Sequence, residues 1–472
     1  MHLFSRLGVT VLFNVEGSLA YEVTPLVAEL IGALREGAAG EERIAAGYEG
    51  GEVAAALAAL REQGVVRPRS TGRRPALKRR AGLRHLELMV THACNLRCRY
   101  CYGASIGAGS RHLYGADAGE MPWEVARAGV DSLFDRRGRA QELSVVFFGG
   151  EPLLAMDLIR RVAAHVRSRE QQEGVSVELS LSTNGIGLDD GVIATLEEYR
   201  IGCQVSIDGP PAIHNANRPT PAGEGSYERV IAGVRRLLAA RPGRVTARVT
   251  ASHAAIDLPG VVDHLLSLGF SSVHVEPCVG GDVATAVTGA DIEAMCAQNE
   301  ELATLLLERV RSDRVFAYHN LVRFIRHTRV VRQRLAHHCG AARTMAALAR
   351  DGGYYPCHRF VGMPEYRMGD VWQGFDPALQ RRVLALTVDN RPGCRECWAR
   401  YLCGGGCWKH AADAHGCLDV PDQEISCRLI RHQIECALAV NGALAVDDGE
   451  ILSRTYRANA APYLLEDQGV TS

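Results

Sequence analysis

Beyond residue 85 the chain keeps one rhythm: a short, nearly continuous apolar run, then a longer stretch whose apolar residues recur at helical spacing. The runs Leu86–Thr91, Leu143–Phe148, Val175–Ser182, Cys203–Ile207, Val245–Thr250 and Val273–Glu276 read as buried strands. A strand with one wet face would alternate apolar with polar instead. Between them Trp123–Phe134, Leu158–Arg169, Val192–Tyr199, Tyr227–Ala240 and Leu258–Leu268 carry helical stripes. This alternation predicts an α/β fold of parallel strands with right-handed crossovers. Six such units make a partial barrel over residues 85–294, with its chemistry at the C-terminal ends of the strands.

Residues 1–66 have a different pattern. Val9–Val15 and Leu19–Val23 alternate as a hairpin would. Thr24-Pro25 then marks an N-cap followed by proline at the first helical position. Leu26, Val27, Leu30, Ile31 and Leu34 form one stripe, ended at Gly37. A second helix runs from about Gly51 to Gln63, and Gly64-Val65-Val66 reads as a closing strand. Hairpin plus helices is a winged-helix pattern. Residues 67–84 form a linker with eight cations in eighteen residues, read as a solvated basic connector or as a contact for an acidic peptide. Residues 295–335 read as a helical connector. Residues 336–437 hold most of the cysteines and show little strand periodicity, so metal rather than a large apolar core is expected to hold them together. Residues 438–472 read as a short helix and tail.

Composition narrows the partners. A formal charge of −1 over 472 residues provides no field to draw nucleic acid or a membrane surface. No apolar run reaches transmembrane length, and Met-His-Leu-Phe-Ser-Arg at the N-terminus lacks the parts of a secretory signal. Fifteen cysteines without an export signal point to the reducing cytoplasm and to metal binding.

The sharpest chemistry is the run Cys94-x3-Cys98-x2-Cys101, directly after the first barrel strand. Three thiolates so placed can hold three irons of a 4Fe–4S cube and leave the fourth open to a small molecule. A three-cysteine zinc site and reduced structural thiols are the alternatives. The second strand ends in Gly149-Gly150-Glu151-Pro152, where adjacent glycines allow backbone to approach a ligand closely. The third ends in Ser182-Thr183-Asn184-Gly185 and the fourth in Ser206-Ile207-Asp208-Gly209, polar groups suited to a ribose and a carboxylate or to ordinary turns. Arg218 and Arg248 are candidate cations for an anionic group, and Tyr100 stands next to Cys101. Glu276, ending the sixth strand, is a candidate acid or base.

Farther on, Cys339-x12-Gly352-x4-Cys357 is followed by Cys394-x2-Cys397-x5-Cys403-x3-Cys407, with Cys427 after nineteen more residues. A zinc ribbon on Cys394, Cys397, Cys403 and Cys407 is one reading. Cys203, Cys278, Cys296, Cys417 and Cys436 default to structural thiols.

Taken together, the triad, the Gly-Gly-Glu-Pro turn and the strand ends resemble radical S-adenosylmethionine (SAM) enzymes. The C-terminal spacing resembles the SPASM extension of their peptide-modifying members. The text around Cys357 and from Cys394 to Cys407 is similar to maturases that build thioether bridges in ribosomal peptides, including those of cysteine-rich peptides and of the quinohemoprotein amine dehydrogenase small subunit. The resemblance implies that Cys94, Cys98 and Cys101 hold a cluster whose open iron chelates SAM. Tyr100, Gly149, Gly150, Glu151, Pro152, Ser182, Asn184, Ser206, Asp208, Arg218 and Arg248 would then line the SAM pocket. It further implies that Cys394, Cys397, Cys403 and Cys427 hold one auxiliary 4Fe–4S cluster and that Cys339, Cys357 and Cys407 hold another, roughly twelve irons in all.

Fully ligated relatives have one more cysteine a few residues after the first. Gly340 to Ala347 offers none, which leaves an open iron or a borrowed His338 or His358. The resemblance also implies a precursor peptide whose leader docks on residues 1–66 by strand addition, and an electron donor such as flavodoxin or ferredoxin. A DNA-binding role for that unit is disfavoured, because its second helix lacks a basic face. Anaerobic sulfatase maturases, with the same layout, carry Asp directly after the second auxiliary cysteine, where this chain has His358. The expected activity is thioether formation in a peptide; C–C or C–O crosslinking is the alternative enzyme, and a metal-stabilised winged-helix regulator the non-enzyme alternative.

Overall fold

The computed structural model describes residues 1–36, 47–62, 82–103, 119–253, 256–280, 284–312, 315–331 and 334–444, together with residues 44, 448 and 452. The closing strand expected at 64–66, most of the basic linker and the tail beyond 452 lie outside these residues.

The N-terminal unit is a three-stranded antiparallel sheet, β1 (His2–Arg6), β2 (Val9–Asn14) and β3 (Leu19–Glu22), with helices Pro25–Glu36 and Gly50–Glu62. The β2–β3 hairpin and both helices fall where the sequence pattern puts them; β1 is additional. Leu7 and Gly8 join β1 to β2 with φ of 53° and 76°, the double left-handed turn that suits the twist of a two-residue hairpin. Thr24 Oγ1 accepts the Val27 N–H at 3.4 Å, capping the first helix.

This unit does not stand apart. Side chains along β2 point alternately to its two faces. Leu12 packs with Ile31 and Leu60 under the helices, whereas Val11, Phe13 and Val15 enter the main core of the molecule. His2 stacks on Trp398 with centroids 3.8 Å apart, Arg6 Nη2 meets Glu435 at 2.7 Å, and Arg400 meets Glu16 at 2.5 Å. A sheet apolar on both faces needs two partners, and the second is the body of the protein.

The six expected strands are present as β4 (His85–Thr91), β5 (Glu142–Gly149), β6 (Ser176–Thr183), β7 (Ile201–Ser206), β8 (Val245–Ala251) and β9 (Ser272–Pro277), each parallel to the next. The sheet is wider than expected. At one edge β10 (Ala317–Tyr318) pairs in parallel with β9. At the other, β11 (Met345–Leu348) pairs in parallel with β4, and β12 (Tyr354–Tyr355) turns back antiparallel on β11. The order is β10-β9-β8-β7-β6-β5-β4-β11-β12, an open, mostly parallel sheet.

Two segments outside the six strands thus join this sheet. The 295–335 connector contributes a strand between helices Gly289–Arg311 and His319–Arg326. The cysteine-rich segment from 336 contributes a hairpin to the barrel sheet, with Gly352 at φ +84° near its turn. Strands of two to four residues leave too little periodicity to be read from sequence. One helix runs Ser426–Ala443, across residue 438, and packs on both connector helices and on β1 and β2. Among the described residues no helix is long and apolar enough to cross a membrane.

Candidate active site and cysteine clusters

Cys94, Cys98 and Cys101 occupy the loop leaving β4, at the C-terminal edge of the sheet. Backbone contacts fix that loop. Gly150 N donates to Thr91 O and Glu151 N to Ala93 O, both at 2.8 Å. Arg97 N and Arg99 N donate to Pro219 O and Asn217 O at 2.8 and 2.9 Å. A Cβ on Gly149, whose φ is +144°, would lie 2.1 Å from Thr91 O, and one on Gly150 would lie 2.1 Å from Ala93 O. The two glycines are needed first so that the end of β5 can press against the cysteine loop.

Glu151 is buried, and its carboxylate accepts from Thr183 Oγ1 and Asn184 N at 2.7 Å and from Leu153 N at 3.0 Å. Burial pushes this carboxyl up to about 7 against those donors. Pro152 opens a short 3₁₀ turn, Pro152–Ala155. Asn184 Nδ2 donates to Asn95 Oδ1 at 2.7 Å and lies 3.9 Å from Cys94 Sγ. The Gly-Gly-Glu-Pro turn and the Asn184 corner thus form one scaffold around the triad.

Asp208 and Arg218 find each other. Arg218 Nε and Nη2 reach the two carboxylate oxygens at 3.0 Å, Tyr100 Oη donates to Oδ2 at 2.5 Å, and Thr250 N donates to Oδ1 at 3.0 Å. Arg218 also lies 3.9 Å from Cys98 Sγ and 5.3 Å over the Tyr100 ring. The separate roles expected of Asp208, Arg218 and Tyr100 toward a ligand are here preceded by their pairing, since two buried charges are tolerable together and costly apart.

Ser182 and Ser206 stand half-buried at the ends of β6 and β7, Ser206 beside Arg248 in the sheet register. Arg248 keeps a different standing from Arg218. Its Nη1 is buried without a hydrogen bond, 3.9 Å from Glu276 Oε1. A half-buried guanidinium with one spare donor beside the end of β7 fits an anionic group such as a carboxylate.

Glu276 takes His274 Nε2 at 3.0 Å. Burial pushes its carboxyl up, but His274, Arg248 and Arg323 together hold it well below the usual range. It lines a small cavity with Asn320, Arg323, His338, Cys407 and His410. The end of the last barrel strand therefore faces the C-terminal cysteines.

Those cysteines gather in two sets. Cys427 lies in the field of Cys403, Cys394 and Cys397, and burial first, then those thiols, push it up. Cys394 is pushed up to about 11 by burial, with Arg391 opposing. Cys357 is raised well above the ordinary thiol by burial, Glu87, Cys407 and Cys339, and Cys98 of the first triad is pushed up to about 12 mainly by burial. Crowded, buried thiols are weak acids until a cation relieves the repulsion between their thiolates, which is the chemistry of a metal-cluster site. Among the described residues no three His, Cys, Asp or Glu side chains converge as they would on a single ion. A four-iron cube asks instead for thiolates set apart, each on its own iron.

Of the two histidines able to complete the Cys339 set, His358 Nδ1 and its backbone N–H are both taken by Glu87 of β4, at 2.7 and 2.6 Å. His338 Nδ1 lies 2.8 Å from Cys403 O. Glu87, Arg359 and His410 escaped the sequence reading. Glu87 sits inside an apolar strand, and Arg359 and His410 lie two and three residues after the candidate ligands Cys357 and Cys407; polar residues close to candidate ligands were the available signal. Cys203, Cys278 and Cys436 are buried, and Cys296 and Cys417 half-buried.

Residues 88–253 match the model of the radical SAM superfamily. Over 341 residues, 67% of this chain and 78% of the relative, the sequence is 26% identical to a serine-type anaerobic sulfatase-maturating enzyme of Klebsiella aerogenes. It is 29% identical over 154 residues, 32% of this chain and 31% of the relative, to the radical SAM cyclopropyl synthase TigE of Paramaledivibacter caminithermalis. Among solved structures, anSMEcpe with bound AdoMet is similar with a TM-score of 0.65 at 19% identity, covering 76% of this chain and 98% of that one. Streptococcus suis SuiB bound to the precursor peptide SuiA gives 0.51 at 14% identity, covering 88% and 96%. These structural likenesses establish a shared fold.

Proposed function

We propose, from the premise that residues 88–253 are a radical SAM domain, that this chain is a peptide maturase that forms an intramolecular thioether between a cysteine sulfur and a carbon of its substrate. The observation that carries the reading is the cavity joining Glu276 of the last barrel strand to Cys407, His338 and His410 of the cysteine-rich segment. One site thereby has access to both halves of an oxidation. When bound, the SAM-linked cluster supplies a 5′-deoxyadenosyl radical that removes a hydrogen atom from carbon, and the auxiliary clusters supply a sink for the second electron as the thiol proton leaves and the C–S bond forms.

The chain's own work is to hold and orient these groups. Cys94, Cys98 and Cys101 hold the first cluster; Cys394, Cys397, Cys403 and Cys427 hold one auxiliary cluster and Cys339, Cys357 and Cys407 the other. Gly149, Gly150, Glu151, Pro152 and Asn184 set the triad loop. Arg248 is the cation for the methionine carboxylate, and Tyr100, Ser182, Ser206, Asp208 and Arg218 complete the pocket wall. Glu276 stands on the substrate side as the candidate acid or base. The leader docks on residues 1–66, a reading supported by the likeness to SuiB bound to its precursor peptide SuiA, and a flavodoxin- or ferredoxin-type donor supplies electrons.

A second reading follows from the Klebsiella relative: maturation of a sulfatase. His358, bound to Glu87 where those enzymes carry Asp, disfavours it. The test is anaerobic, dithionite-reduced turnover with a cysteine-containing precursor peptide. A thioether product loses two hydrogens and one alkylatable thiol. Turnover of a sulfatase peptide in place of the precursor would instead select the second reading, and unchanged thiol count with the same mass loss would select C–C or C–O crosslinking. Absence of 5′-deoxyadenosine under all conditions would remove the premise.

A further inference from the structure

Arg359 occupies a place that the proposed chemistry does not yet use, and the inference below rests on the reading that Cys339, Cys357 and Cys407 hold an auxiliary cluster. Its Nη1 lies 3.9 Å from Cys407 Sγ and 2.7 Å from His410 Nε2. A guanidinium only donates, so His410 Nε2 accepts and the ring proton resides on Nδ1. Nδ1 then donates to Ser426 Oγ at 2.7 Å, and that hydroxyl donates to Asp422 Oδ2 at 2.8 Å. Asp422 Oδ2 also accepts Ser426 N at 3.0 Å.

Every member of this chain thus has one role, and His410, Ser426 and Asp422 are all buried. On its other side the guanidinium lies 5.7 Å over the ring of Tyr102, the residue after Cys101. One cation therefore stands between the first cysteine loop and Cys407. The nearby carboxylate of Asp413 is engaged by Lys409.

We propose that Arg359, aimed by His410, Ser426 and Asp422, is a positioning residue that raises the reduction potential of the cluster held by Cys339, Cys357 and Cys407. Reduction adds a negative charge to a cluster, and a fixed cation beside a ligating sulfur favours the reduced form more than the oxidised one. In a water-poor site that preference is weakly screened. Hydrogen bonds to cluster sulfurs and local charge are established levers on such potentials. An arginine needed only for packing would not require a relay that fixes the direction of its N–H.

The experiment is an EPR-monitored redox titration of the full-length, anaerobically reconstituted protein carrying Cys94→Ala, Cys98→Ala and Cys101→Ala, so that only auxiliary clusters report. Arg359→Gln is expected to make one auxiliary couple at least tenfold harder to reduce, about 59 mV more negative for a one-electron couple. Arg359→Lys is expected to retain most of the parent potential. His410→Ala, which keeps the cation but frees its aim, should give a smaller shift in the same direction. Unchanged potentials in Arg359→Gln at the parent's iron content would overturn the inference and leave the cluster reading standing. Iron loss in Arg359→Gln would also overturn it, by making Arg359 a structural support. A parent protein without auxiliary iron would overturn the cluster reading itself, and the inference with it.

Discussion

Glu87, in the strand that leads to the first cysteine triad, accepts both the backbone N–H and ring Nδ1 of His358, the residue after Cys357, at 2.6 and 2.7 Å. Burial raises the Glu87 carboxyl, but the His358 contacts and His85 outweigh it and hold the group below its ordinary range. A single carboxylate in an otherwise apolar strand thus pins the cysteine-rich segment to the barrel. Glu87→Ala leaves His358 without its partner and should cost about 2–4 kcal/mol. Chemical denaturation of reconstituted protein reads the loss. A midpoint equal to that of the parent would mean that β11 alone holds the segment in place.

Gly150 has no room for a methyl group, because the added carbon would sit 2.1 Å from Ala93 O. Gly150→Ala should push the end of β5 off the triad loop. Iron analysis after anaerobic reconstitution is expected to fall by roughly four irons, one cluster's content, with the auxiliary signals intact. Full iron content in this variant would show that the loop tolerates the shift.

His214 is buried and neutral. Asp208 N donates to its Nδ1 at 3.4 Å and its Nε2 meets Ser226 Oγ at 3.0 Å, while burial, with Arg218 adding, lowers it to about 4. The unfolded side chain titrates near 6.5. Between these values only the unfolded chain binds the proton. Stability from this group is therefore complete above about pH 6.5 and is lost as pH falls toward about 4. His214→Gln should flatten the fall in urea midpoint between pH 7 and pH 5 relative to the parent. An identical slope in both proteins would assign the acid sensitivity elsewhere.

Phe13 and Leu12 are adjacent, fully buried and committed to different cores. Phe13→Ala opens a cavity against the body of the protein and should cost about 3–5 kcal/mol. Hydrogen exchange should then rise in β1, β2 and the facing helix Ser426–Ala443 together. Leu12→Ala should loosen the two N-terminal helices and leave the helix Ser426–Ala443 protected. Equal exchange patterns in the two variants would mean that the N-terminal sheet behaves as one layer without sides.

Much of the molecule was legible from its residue order. Buried parallel strands announce themselves as unbroken apolar runs, so all six barrel strands and their helices lie close to where the pattern puts them. Cysteine spacing is equally local, and it singled out the triad loop and the two later groups before any fold was known. What the linear pattern left open is everything that depends on two distant segments meeting. β10, β11 and β12 are too short to carry a period and exist only because β9 and β4 offer open edges. The pairing of Asp208 with Arg218, the capture of His358 by Glu87 and the aiming of Arg359 by His410 arise the same way. Each gives a charged group in the interior a polar partner that it would be costly to lack, and only the packed structure decides which partner each one receives.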